Sequence, residues 1–184
     1  MGEQPRPAPN AIELRIEDIS QLFHTLDPFP FREKDLDKDV EEFIVSWARE
    51  MPEGQPLKIV VHLPEKQASR PEARELDAAF SRYFDYRAQA TSRDLRELFR
   101  IGRRALAIGL AVLSFSVIVS QTAAAYLSPL PIGRLIEESL TLFGWVANWK
   151  PIEIFLYDWW PVVRLRNLYQ RLSGAHVELR PYSD

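Results

Sequence analysis

The sequence predicts an α/β membrane protein, with a two-helix transmembrane hairpin and a small cytoplasmic α/β domain of about three strands closed by the C-terminal strand. Three observations lead there. Residues 105–133, ALAIGLAVLSFSVIVSQTAAAYLSPLPIG, hold 29 positions without a formal charge. A helix rises about 1.5 Å per residue, so about 20 apolar residues cross the ~30 Å hydrocarbon core of a bilayer, and Ala105–Leu127 is long enough. Arginines flank the apolar region on both sides: Arg93, Arg96, Arg100, Arg103 and Arg104 before it, and Arg164, Arg166 and Arg171 after it. Basic residues are retained in the cytoplasm, which places both termini there. Finally, stretches of period two stand near both ends of the chain, with a period of 3.6 between the first pair.

The opening MGEQPRPAPN carries Pro5, Pro7 and Pro9, which predict a flexible tail over residues 1–10. It has no basic, apolar export signal. Arg6 stands where a myristoylation pattern needs Ser or Thr. The α/β domain is expected over residues 11–70. Ile12, Leu14 and Ile16 alternate with Glu13, Arg15 and Glu17, and Leu57, Ile59, Val61 and Leu63 with Lys58, Val60 and His62, as in strands with one buried face. Between them Val40, Phe43, Ile44, Trp47, Ala48 and Met51 share one helical face, and Asp37 is placed to cap that helix. Strand, helix, strand implies a parallel pair. Val177 and Leu179, alternating with His176, Glu178 and Arg180, supply a third strand. The opposite face of the sheet, with Glu13, Arg15, Glu17, Lys58, Glu178 and Arg180, is expected to be solvated.

Residues 71–104 read as an amphipathic connecting helix begun by Pro71. Phe80, Phe84, Ala88, Thr91, Leu95, Leu98 and Gly102 form a heptad-like seam. The seam packs either on the chain's own sheet and second membrane helix or on a second copy. As one straight helix these residues reach about 50 Å, whereas only 13 residues lead from Val163 back to His176. A bend at Thr91–Ser92, where a new cap is available, reconciles the two. Pairing of the C-terminal strand with a neighbouring chain is the alternative.

Residues 105–163 are expected to form the transmembrane hairpin. Its first helix leaves the membrane at Tyr126 and ends at Ser128-Pro129-Leu130-Pro131. The second segment starts beyond Arg134, Glu137 and Glu138. Its uncharged stretch Leu140–Trp149 covers only about 15 Å. To cross, the helix must run on through Lys150, Pro151 and Glu153 to about Val163, framed by Trp145, Trp149, Tyr157, Trp159 and Trp160. The rival reading is a segment that dips part-way and then lies in the interface from Pro151. Residues 164–184 then give a cytoplasmic helix, ended by Gly174, and the third strand.

The composition limits the function. A formal charge of −3 argues against a nucleic-acid partner. There is no cysteine, and His24, His62 and His176 lack ligand spacing, so no metal or cofactor is expected. No nucleophile elbow, phosphate loop, dinucleotide fingerprint or zinc-protease motif occurs, so the chain reads as a non-enzyme. Two places could carry function. Lys150, Glu153 and Asp158 form a candidate intramembrane polar site, either a pathway for ions or an internal pairing that snorkels to the headgroups. Phe29 and Phe31, in the proline-stiffened loop LDPFPF, either plug the core or dock a partner.

The stretches LDPFPFREKDLD (residues 26–37) and WKPIEIFLYDWW (residues 149–160) resemble small, uncharacterised bacterial membrane proteins with two membrane helices and cytoplasmic termini. The resemblance implies a bacterial inner-membrane setting and carries over no activity. The expected role is that of a membrane-anchored interaction or accessory subunit, with the bilayer and a protein partner or a second copy as its contacts. A homo-oligomeric channel or transporter component lined by the second membrane helix is the alternative.

Overall fold

The computed structural model describes residues 11–23, 35–52, 54–127 and 131–183. The chain is mostly helical, with one small three-stranded sheet, and it forms two compact units: Met1–Ala90 with Arg164–Asp184, and Thr91–Val163. The predicted tail 1–10 and the Phe29/Phe31 loop lie outside the described residues.

The first unit is built on strands β1 (Ala11–Arg15), β2 (Lys58–Pro64) and β3 (His176–Tyr182). All are parallel, in the order β1-β2-β3, with Ile12 opposite Ile59 and Ile59 opposite Val177. The C-terminal strand therefore closes the sheet of its own chain, as the alternation predicted. After β1, Asp18 caps a 3-10 turn (Ile19–Leu22) through its reciprocal partner Gln21. Helix α1 (Lys38–Glu50) is capped by Asp37, whose carboxylate accepts from the Asp39 N–H at 2.9 Å. Short helices α2 (Glu65–Ala68) and α3 (Pro71–Arg74) follow β2.

One face of the sheet carries the core. Ile12, Leu14, Ile59, Val61, Leu63 and Val177 pack with Ile44, Val45 and Ala48 of α1, with Phe80, Phe84 and Ala88, and with Leu168, Tyr169 and Leu172. The opposite face sets the buried Val60 among polar, ion-paired side chains. Lys58 and Arg180 both bind Glu178, and His62 Nε2 lies 3.4 Å from Glu13. Two sequence expectations are corrected in this unit. Phe43 and Trp47, assigned to the buried face of α1, are 41% and 46% exposed. The apolar arc of α1 is wider than the sheet can cover, and Val45, outside the predicted stripe, is buried instead. Pro71 begins the separate turn α3, and the long helix starts only at Leu76.

Helix α4 (Leu76–Leu127) runs 52 residues without interruption. No new cap forms at Thr91–Ser92, where a bend was expected; both residues stay within the helix. The expected seam is filled by the chain itself at Phe80, Phe84 and Ala88, in the core of the first unit, and at Gly102, which abuts Ile154 in the second.

In the second unit α4 is followed by α5 (Pro131–Val146), α6 (Trp149–Glu153), a π-helical turn (Ile154–Asp158) and the start of α7 (Trp159–Ser173). The expectation of one continuous second crossing helix from Leu140 to Val163 is not met. The chain turns at Ala147–Asn148, and α5 is 16 residues long, or about 24 Å. The prolines explain the interruptions. Pro151 has no N–H for the Ala147 carbonyl, and Pro161 none for that of Tyr157. Among the described residues one helix, α4, is long and apolar enough to cross a membrane.

Candidate functional site

The second unit inverts the usual distribution of polarity. Its exposed side chains include Ile108, Phe115 and Ile118 on α4 and Leu142, Phe143, Trp145 and Val146 on α5, with Phe115 at 67% exposure. Its buried side chains include Ser116, Ser120 and Asn148, the last only 5% exposed. Only 17% of the most apolar stretch of α4 is buried, whereas the core helix of a water-soluble protein is mostly covered.

The contact between α4 and α5 is made by small and polar residues. Gly102, Gly109, Ser116 and Ser120 recur along one stripe of α4, and Thr141, Gly144 and Asn148 along α5. A Cβ at Gly144 would lie 2.8 Å from Leu113 Cδ1 and 3.2 Å from the Leu113 Cα, so the two backbones approach closely. The Ser120 hydroxyl reaches the Glu137 carbonyl at 3.3 Å, and the Thr141 hydroxyl donates to the same carbonyl at 2.9 Å.

Asn148 is the centre of this seam. At the end of α5 its N–H turns to the Trp145 carbonyl at 3.0 Å, not to Gly144. Its side-chain Nδ2 then donates to Gly144 O and, across the interface, to Gly109 O, both at 3.0 Å. One amide thus satisfies a helix-end carbonyl and ties α5 to α4. Asn148 Oδ1 is buried without a hydrogen-bond donor. It faces Gly109, where a Cβ would stand 2.6 Å away, and so occupies the direction of a glycine Hα. The sequence carried this signal as a lone Asn near Pro151 in an apolar run, but the reading above did not single it out.

The predicted residues Lys150, Glu153 and Asp158 come together. Lys150 Nζ is 3.1 Å from Glu153 Oε2 and 3.3 Å from Asp158 Oδ2. The π turn places Asp158 eight residues on within reach of the same ammonium. All three side chains are substantially exposed, so they face away from the α4–α5 seam. Trp159 lies tilted against Phe99, ring centroids 6.4 Å apart, and its indole N–H donates to the Phe155 carbonyl at 3.0 Å. Phe29 and Phe31 lie outside the described residues.

The first unit holds one further polar cluster. The Glu41 carboxylate accepts from Tyr83 at 2.7 Å, Tyr169 at 2.7 Å and Arg87 Nε at 2.8 Å. Burial, and then the bond to Glu41, raise both phenols above their ordinary value, Tyr83 strongly. With three donors in place the carboxylate ties α1, α4 and α7 together. Among the described residues no group of three His, Asp or Glu side chains is arranged to hold a metal ion.

No protein family, curated protein or solved structure matches this chain.

Proposed function

We propose that the chain is a bacterial inner-membrane protein with cytoplasmic termini that serves as a membrane-anchored accessory subunit, holding a partner at the membrane without chemistry of its own. The observation that carries the reading is the inverted polarity of the second unit. Lipid tails solvate Phe115, Ile118, Leu142 and Phe143 as well as a protein core does. They cannot solvate Asn148, Ser116 or Ser120, which are buried. Small residues at the helix contact with polar side chains bridging it are what association in a bilayer favours. The arginines at 93–104 and 164–171 support the cytoplasmic assignment, and the resemblance of residues 26–37 and 149–160 to small bacterial membrane proteins agrees with it. Phe43 and Trp47, side by side with ring centroids 6.0 Å apart, support a protein partner on the first unit.

The channel reading draws on the exposed Lys150–Glu153–Asp158 cluster. It requires several copies, because the cluster lies on the outer surface of one chain. Two carboxylates on one ammonium already compensate its charge, which favours internal pairing.

The test starts from membranes of cells producing the full chain. Resistance to alkaline carbonate extraction is expected, and release into the supernatant overturns the membrane assignment. The complex is then extracted in mild detergent and weighed by native mass spectrometry. A second protein at fixed stoichiometry supports the accessory role; a pure homo-oligomer overturns it in favour of the channel. The chain lacks cysteine, so single cysteines at Ser128 and Ser173 report topology on a clean background. Labelling from outside is expected only at position 128.

A further inference from the structure

Five arginines precede the apolar part of α4, and they share a face. At about 100° per residue, positions 93, 96, 100, 103 and 104 fall within an arc of about 100°. All five are exposed. The opposite face packs inward: Gly102 meets Ile154 and Phe155, and Phe99 stacks on Phe155 at 6.1 Å. Continued along the helix, the arginine face becomes the one that presents Leu110, Phe115 and Ile118 to the surroundings. One helix face therefore passes from cationic to apolar at Ala105.

We propose that Arg100, Arg103 and Arg104 form a binding site for the phosphates of anionic phospholipids. The inference rests on the membrane reading above and names a ligand class for it. Arg100 to Arg104 covers about 6 Å of helix axis, and the headgroup layer on each side of a bilayer is about 5–7 Å thick. The three guanidinium groups thus stand at phosphate depth when Ala105 enters the hydrocarbon. Arg93 is about 16 Å from Arg104, beyond the ~8 Å screening length at physiological salt, so the first arginines of the stripe contribute less. The three differ in how far they are already neutralised. Arg100 is paired with Glu97, while Arg103 and Arg104 have no ion pair among the described residues. Guanidinium matches a phosphate bidentately, which an isolated ammonium does not. Nucleic acid, the other polyanion, is disfavoured by the chain's net charge of −3 and by the apolar continuation of the same face.

The experiment reconstitutes the full chain in vesicles of phosphatidylcholine containing a minor fraction of brominated phosphatidylglycerol or of brominated phosphatidylcholine. Quenching of its tryptophans, which include Trp145, Trp149 and Trp159, gives the relative affinity for the two lipids. Each arginine near an anionic surface is worth about fivefold. With Arg103 and Arg104 lacking an ion pair among the described residues, a preference of about 25-fold for phosphatidylglycerol is expected, falling below about twofold in R100Q/R103Q/R104Q. R134Q, whose arginine pairs with Glu138 at the start of α5, is expected to retain it. Equal quenching by both lipids in the unaltered chain overturns the site and leaves the membrane reading standing. Absence of quenching by either lipid overturns the membrane reading itself. An unchanged preference in the triple variant, or tight binding of a single-stranded oligonucleotide that the triple variant loses, also overturns the assignment.

Discussion

Gly109 and Asn148 are expected to behave as one unit, and a double-mutant cycle tests this. A Cβ at residue 109 would lie 2.6 Å from Asn148 Oδ1 and 3.0 Å from its Cγ. Gly109→Ala must therefore displace the amide or part the helices. The amide cannot move without releasing Gly109 O and Gly144 O, each held at 3.0 Å. Interhelical hydrogen bonds in membranes average about 0.6 kcal/mol, with about 1.7 kcal/mol at the upper end. Stranding the Gly144 carbonyl adds about 1–3 kcal/mol. Asn148→Ala is thus expected to cost about 2–4 kcal/mol. Gly109→Ala should cost about 1–3 kcal/mol, because alanine returns up to about 1 kcal/mol of helix propensity. With Asn148 already alanine, the two nearest obstacles are gone. The next nearest atom, Ala147 O, stands at 3.1 Å, and a shift of a few tenths of an ångström relieves it. The double variant should then be no less stable than Asn148→Ala alone, giving a coupling of about 1–3 kcal/mol. Unfolding by dodecyl sulfate in mixed micelles, followed by tryptophan fluorescence and circular dichroism, measures all four corners. Additive costs, within about 0.5 kcal/mol, would refute the seam.

Three further outcomes concern the first unit. Deleting residues 175–184 removes the partner of a whole edge of β2, from Lys58 to Pro64, so the truncated chain should be cut by trypsin far faster; unchanged resistance would mean that the sheet does not need β3. Tyr83→Phe should cost about 1.5–3 kcal/mol, the usual worth of a hydrogen bond to a charged group, in chemical denaturation. Because the folded state raises the Tyr83 pKa, its contribution is complete below about pH 10 and fades as pH rises above that. Wild type should therefore lose stability on alkaline titration more steeply than Tyr83→Phe, and parallel curves would count against it. Glu178 is held down from 4.5 to about 2 by its bond to Lys58 and then by Arg180, so its contribution is present above pH 4.5 and lost as pH falls toward 2. Lys58→Met should move the carboxyl back toward 4.5 in a carbon-detected titration; an unmoved value would exclude Lys58 as the cause.

The strands were legible because each sends alternate apolar residues into a single core, so period two survived in the sequence even though Val60 on the central strand is buried on the other face as well. The capped start of α1 was legible for a similar reason: Asp37 acts within its own turn. The width of the covered arc on α1 was not. It is set by Phe80, Phe84 and Tyr169, which arrive in the same core from distant parts of the chain. Phe43 and Trp47 therefore looked like core residues and lie at its rim. The Lys150–Glu153 pair could be read from a spacing of three, but Asp158 joins it only through the π turn, which no periodicity announces.

The break in the second segment carries the physical argument furthest. Helix α5 ends with carbonyls that have no donor, and prolines at 151 and 161 withhold two more. In water such groups would be left to the solvent. Here side chains take over: the Asn148 amide serves Gly144 O, and the Trp159 indole serves Phe155 O, whose usual donor, the Trp159 N–H, turns to Tyr157 O. If the segment lies in hydrocarbon, as proposed above, such substitution of side chains for water is what its non-helical backbone requires. Leucine at 148 or 159 would leave those two carbonyls without their side-chain donors. The half-length of α5 is then compatible with a membrane setting, because its continuation is stitched to α4 by Gly102, Gly109 and Asn148 and need not run as one straight rod.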